Sequence, residues 1–292
     1  RSYRLEPNCT CGSRVTSRSV IDYYEDTETH NVKHTDVTIP LELEPGEYNI
    51  LAWSEHIPAI GYTGGDYYYN TRDFYELTLN GIENAEYIHY GNDHMRAAWR
   101  GFTHITIEHD GKVYTNDPDT DIENVIVQMN RPMARFHFIT TDLQEFNSRV
   151  MSKGEPAVAM GSGVPQAPRP DDYRVVVKYT GYMPSAYNLL SDKPIDSTPG
   201  ISFNGEISPI DENTAQLAYD YVLVNGSSTS IQASLELYRL SDGERLSSTG
   251  VIDIPLRRGH YTIIKGPLLT TMAGTSLGVN PGYNGDFNIE IH

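Results

Sequence analysis

Short runs in which apolar and polar residues alternate with a period of two recur along this chain, and turn residues punctuate them. Val37, Ile39, Leu41 and Leu43 alternate with Thr38, Pro40 and Glu42 up to Glu44-Pro45-Gly46, and Tyr48, Ile50 and Ala52 alternate beyond that turn. A period of two places every second side chain on one face of a strand. Residues 37–43 and 47–53 are therefore expected to pair as a hairpin. The pattern continues through 74–79, which ends at Asn80-Gly81, and through 99–108, which ends near Asp110-Gly111. Val125, Val127 and Met129 alternate, and Phe136, Phe138 and Thr140 do so after Pro132. Residues 173–179, 215–224, 230–240, 245–254, 260–264 and 286–291 follow, with Asn225-Gly226 and Asp242-Gly243 as turns. Such punctuation predicts an all-β fold of antiparallel sandwiches rather than a parallel α/β sheet. Only 143–151 is expected to form a short helix. In the tail, Phe287, Ile289 and Ile291 alternate with Asn288 and Glu290, and Pro281-Gly282 and Asn284-Gly285 stand just before them. These turns predict that the tail folds back onto its own domain.

At 292 residues the chain is long enough for two domains. The strongest break in composition is 152–172, which holds Gly154, Pro156, Gly161, Gly163, Pro165, Pro168 and Pro170. The expected organisation is an N-terminal domain over 1–151 with an irregular arm at 1–14, a linker at 152–172, and a C-terminal domain over 173–292. The 21 tyrosines suit half-buried sheet surfaces, where the ring packs and the hydroxyl stays wet.

The formal net charge of −17 argues against nucleic acid and anionic membrane surfaces as partners. No apolar run is long enough to span a bilayer, and residues 1–8 are too polar for a secretory leader. Cys9 and Cys11 read as a loop disulfide or as two thiols in the arm. Ser54-Glu55-His56 places three catalytic residue types side by side, but neighbours on a strand face opposite ways, so they read as surface groups at a strand end. Asp117, Asp119 and Asp121 have the opening spacing of a calcium loop, yet Ile122 stands where Gly is needed and Gln128 where Glu is needed. The histidines read as scattered. No catalytic residue, cofactor or metal is expected. One segment is a candidate ligand-binding loop: Tyr67, Tyr68 and Tyr69 beside Gly64-Gly65, where rings on a loop could take a sugar or simply pack over the sheet end.

Four segments carry a resemblance: IPLELEPGEYNILAW (39–53), YYNTRDFYELTLNG (68–81), RPMARFHFITTDL (131–143), and 257–291 from RRGHYTIIKGPLLT to NPGYNGDFNIEI. Together they resemble the fimbrillin superfamily of Bacteroidetes, in particular its anchor-like, lipoprotein-type members. The resemblance implies two tandem transthyretin-like β-sandwich domains. It implies export to the outer membrane on a lipid anchor upstream of Arg1, and a pilus subunit or anchor joined to other fimbrial subunits by strand exchange. It also implies processing after an arginine near the first strand, for which Arg14 and Arg18 are the candidates. The alternative on the same fold is a carbohydrate- or ligand-binding outer-membrane lipoprotein that works through Tyr67, Tyr68 and Tyr69 on host or glycan ligands.

Overall fold

The segment MARFHFIT alternates in burial from Ala134 onward, and in the computed structural model it is the strand Met133–Thr140, with Phe136 and Phe138 fully buried and Arg135 and His137 half-buried. The structure describes residues 2–7, 15–18, 39–56, 67–82, 91–115, 124–154, 172–272 and 287–290. Among these the chain is all-β apart from one α-helix and one 3₁₀ turn. It divides into two compact units, one built from 1–55 and 99–130 and the other from 56–98 and 131–292.

The first unit is a sheet in the order Val15–Arg18, Ser2–Pro7, Gly46–Glu55, Ala98–Ile107, Val113–Tyr114, with Met129–Asn130 also on Ala98–Ile107. Ile50 and Ile105 form its core, with Leu43, Tyr48, Ile107, Val113, Val125 and Val127 packed against them. Gly101 permits this packing: a Cβ there would lie 2.6 Å from both Met129 Sδ and Val127 Cγ1. Three expectations are corrected here. The hairpin of 37–43 with 47–53 does not form, because residues 39–44 are irregular and Ser2–Pro7 pairs along Gly46–Glu55. The arm at 1–14 is therefore not wholly irregular. Ser54 and Glu55 are buried rather than surface groups.

The second unit contains three sheets. One runs Ser202–Gly205, Tyr173–Tyr179, Ser228–Arg239, Arg245–Ser248, with Ile252–Arg257 also on Ser228–Arg239. A second runs Ser208–Pro209, Ala215–Leu223, Met133–Thr140, Tyr261–Gly266, Phe287–Glu290. The third runs Lys193–Pro199, Tyr182–Asn188, Leu77–Leu79, Tyr69–Asn70. Rings join the first two sheets in a sandwich: Phe136 meets Phe138 at 5.7 Å and Tyr179 at 6.2 Å, and Tyr179 meets Phe203 at 6.3 Å. The Asn225-Gly226 turn does not close a hairpin. Its strands lie in different sheets, Ala215–Leu223 on Met133–Thr140 and Ser228–Arg239 on Tyr173–Tyr179, and Gly226 takes the left-handed backbone of a corner at φ 67°.

The helix is Leu143–Ser152, with Leu143, Phe146 and Val150 buried at helical spacing and Phe146 5.2 Å from Tyr173. Asp142 precedes it but does not cap it, because its carboxylate turns instead to Thr140 and to the backbone and hydroxyl of Thr270.

The unit division also differs from the expected one. Met133–Thr140 and the helix precede the proline-rich segment, yet they belong with the C-terminal residues, because the strand is hydrogen-bonded by Ala215–Leu223 on one side and Tyr261–Gly266 on the other. Residues 155–171, most of the expected linker, lie outside the described residues, as do Cys9, Cys11, Arg14, Asp117, Asp119 and Asp121. The tail strand Phe287–Glu290 pairs with its own chain, but it runs parallel to Tyr261–Gly266 rather than folding back as a hairpin arm.

Candidate functional site

The tyrosine loop lies mostly inside the second unit. Tyr69 is fully buried, and its hydroxyl donates to the Arg96 carbonyl at 2.5 Å. Tyr68 is buried too and donates to Asp93 Oδ2. Burial, reinforced by the Asp93 carboxylate, pushes the Tyr68 phenol well above its ordinary range. Asp93 holds both ends of this contact, since its Oδ1 accepts from Met95 N at 2.9 Å and so caps the turn His94–Arg96. Tyr67 is half-buried and meets Tyr68 edge-on at 4.6 Å. Any ring surface this segment presents therefore comes from Tyr67.

Beneath the loop lies a polar cluster that the sequence reading missed. Arg96 is 2% exposed and Asp220 1% exposed, and they pair at 2.6 Å. Asp220 also accepts the Tyr179 hydroxyl at 2.5 Å and the Tyr221 N–H at 2.7 Å. Burial opposes the Arg96 charge, but Asp220 with Tyr69 and Tyr179 more than compensates, and the guanidinium stays charged. The visible signal was Asp220 itself, a carboxylate inside the apolar strand AQLAYDYVL.

The face of the Met133–Thr140 sheet that turns away from this core carries a second cluster. Register places Arg135 opposite Tyr221 on one side and Tyr261 on the other, and His137 opposite Tyr219. The Arg135 guanidinium lies over the rings of Tyr219, Tyr221 and Tyr261 at 4.0, 5.3 and 5.6 Å. His137 stacks on Tyr219 at 5.5 Å and bonds Gln216 Oε1 at 3.3 Å. Burial, helped by the Arg135 cation, lowers the His137 pKa to about 4, so the ring is neutral at physiological pH. Tyr261 is 40% exposed, and Arg131 donates to its hydroxyl at 3.4 Å.

Val15–Arg18 forms one rim of the first unit's sheet, with Ser2–Pro7 between it and Gly46–Glu55, and Phe287–Glu290 forms the rim beyond Tyr261–Gly266. Arg18 ends its strand opposite Ser2. Among the described residues no group of three or more His, Cys, Asp or Glu is arranged to hold a metal ion, and no helix is long and apolar enough to cross a membrane.

Several solved structures are similar in outline. A Bacteroides ovatus protein provisionally described as an adhesin matches 86% of this chain and 76% of its own, at 9% identity and a TM-score of 0.42. The fimbrial anchor protein Mfa2 of Porphyromonas gingivalis matches 85% of this chain and 73% of its own, at 12% identity and a TM-score of 0.34. A Bacteroides fragilis protein provisionally described as a cell adhesion protein matches 98% of this chain and 85% of its own, at 12% identity and a TM-score of 0.35. No curated protein matches the chain. A family profile does match it, over residues 12–292, and the chain belongs to that family, the family of unknown function DUF6562.

Proposed function

We propose that this chain is a non-enzymatic cell-surface protein of the fimbrial kind, a pilus subunit or anchor carried on a lipid anchor in the outer membrane and joined to other subunits by strand exchange. The observation that carries this reading is the pair of edge elements, the Ser2–Pro7 and Val15–Arg18 hairpin and the tail strand Phe287–Glu290. Ser2–Pro7 lies along Gly46–Glu55 from Ser2 opposite Trp53 to Pro7 opposite Tyr48. Cleavage after Arg18 would leave this strand and its hairpin partner on the sheet by ladder hydrogen bonds alone. Their departure would uncover a ten-residue strand, and an extended segment added there gains a full ladder and alternate side-chain contacts. In the second unit Phe287–Glu290 has, among the described residues, one strand partner over four residue pairs, which makes it the natural donor. The edge strand Lys193–Pro199 is built the opposite way. Pro194 and Pro199 offer no N–H, and the Ser197 N–H turns onto Asp196 Oδ1 at 2.7 Å, so this edge resists addition. The fimbrillin-like segments of the sequence support the same reading. The carbohydrate-binding alternative keeps only Tyr67 on its loop, so no second reading is built there.

The test uses a chain that begins at residue 19, the product of cleavage after Arg18, and a fluorescent peptide of residues 281–292. Saturable binding to the shortened chain, with none to the intact chain, is the expected result. If neither binds the peptide, strand exchange through these rims is wrong.

A further inference from the structure

Arg135 is an unusual cation for this chain. Acidic residues number 39 against 22 basic ones, so carboxylates are abundant. Yet among the described residues Arg135 meets none. Its Nη1 bonds the Tyr221 hydroxyl at 3.5 Å, and its buried Nε–H has no acceptor. A half-buried cation without a counter-ion is costly, and three ring faces offset only part of that cost. Other arginines in the same unit are paired with acids, Arg96 with Asp220, Arg258 with Asp192 and Arg239 with Asp242, although the buried Nε of Arg258 also lacks an acceptor.

Of the three rings around Arg135, Tyr219 and Tyr221 are buried and Tyr261 reaches the surface. Tyr261 is exposed enough to present a ring, with Arg131 at its hydroxyl. Lys265 stands exposed on the same face, two and four residues beyond Ile263 and Tyr261 along one strand. Arg131, Arg135 and Lys265 therefore share one sheet face, with Glu290 in register beside Lys265 on the next strand. The backbone donors and acceptors here are engaged in ladders on both sides of Met133–Thr140, so an added strand has nothing to pair with. What the face offers is ring surface beside a planar cation.

We propose that Arg135 and Tyr261 form the centre of a saccharide-binding face that takes a uronic-acid unit, the pyranose lying on the Tyr261 ring and its carboxylate meeting the Arg135 guanidinium. A uronate carries its carboxylate at the rim of the sugar ring, and the Arg135 guanidinium lies 5.6 Å from the centre of the Tyr261 ring. The guanidinium fork matches a planar carboxylate in two hydrogen bonds. A tyrosine ring gives rigid, amphipathic contact at low entropic cost. The inference goes beyond the fimbrial reading and does not depend on strand exchange, because it uses a sheet face rather than an edge.

The test is calorimetric titration of the full chain with trigalacturonic acid and with its methyl ester, alongside Arg135→Met and Tyr261→Ala variants. The free acid should bind at least about tenfold more tightly than the ester. Each variant should weaken binding of the acid by at least about tenfold. Tyr261→Ala should melt as the parent does, and Arg135→Met, which removes an uncompensated cation, should melt at the same temperature or higher. Equal binding of acid and ester overturns the proposal, as does absence of binding to the acid. So does an Arg135→Met variant that melts lower and still binds, which would make Arg135 a structural staple for its three tyrosines. Tighter binding of 3′-sialyllactose or of an acidic peptide than of trigalacturonic acid overturns the assignment to a uronate.

Discussion

Asp220 occupies a position that its strand would otherwise give to an apolar residue. Its neighbours on the inward face are Ala218 and Val222, both fully buried. Such a carboxylate persists only because Arg96, Tyr179 and a backbone N–H satisfy it. Replacing Asp220 with Ala leaves the Arg96 charge buried without its partner, and equilibrium denaturation should show a loss of about 3–5 kcal/mol. Replacing both, with Met at 96 and Val at 220, should recover much of that loss. If the double variant is as weak as the single one, the pair is not the coupled unit described here. The sequence showed half of this arrangement. A charge at an inward position of an alternating strand is legible, whereas its partner lies 124 residues earlier in a polar loop that no periodicity marks. The same limit explains the tyrosine loop. Glycine-rich surroundings marked 67–69 as a loop, but which of its rings turn inward depends on Asp93 and Arg96, residues the local pattern does not connect to it.

At the scale of elements, alternation located strands well and assigned their partners poorly. Residues 47–53, 173–179, 215–224 and the short helix were all visible, because periodicity and turn residues are local properties. Pairing is not local. The strand at Gly46–Glu55 takes Ser2–Pro7 in place of the segment just before it, and Asn225-Gly226 sends the chain across the sandwich instead of back along one sheet. The tail is the sharpest case. Turns before residue 286 suggested a local return, but a parallel partner requires the chain to cross from one end of Tyr261–Gly266 to the other before it can pair. The strand still belongs to its own sheet, so deleting residues 286–292 should lower the stability of the isolated monomer by about 2–4 kcal/mol, the scale of losing core side chains. A thermal melt indistinguishable from that of the full chain would show that the strand adds nothing at home.

For the molecule as a whole, the informative fact is which residues belong together. Proline and glycine mark 152–172 plainly, and composition alone would cut the chain there. The second unit, however, reaches back to 131–154 and to 56–98. A fragment of residues 173–292 therefore lacks the strand that stands between Ala215–Leu223 and Tyr261–Gly266, and the rings of Phe136 and Phe138 with it. Such a fragment should lack dispersed amide resonances in solution, whereas one that also carries 56–98 and 131–154 has every strand of the sandwich. A well-dispersed spectrum from 173–292 alone would contradict this grouping. The central place of Met133–Thr140 also governs timing. Both neighbours of this strand are made after it, the second more than a hundred residues on. Loop closure over such separations is slow compared with local folding. The larger unit cannot close while the ribosome still holds residues 261–266, so its sandwich forms only after the last of these three strands has been released.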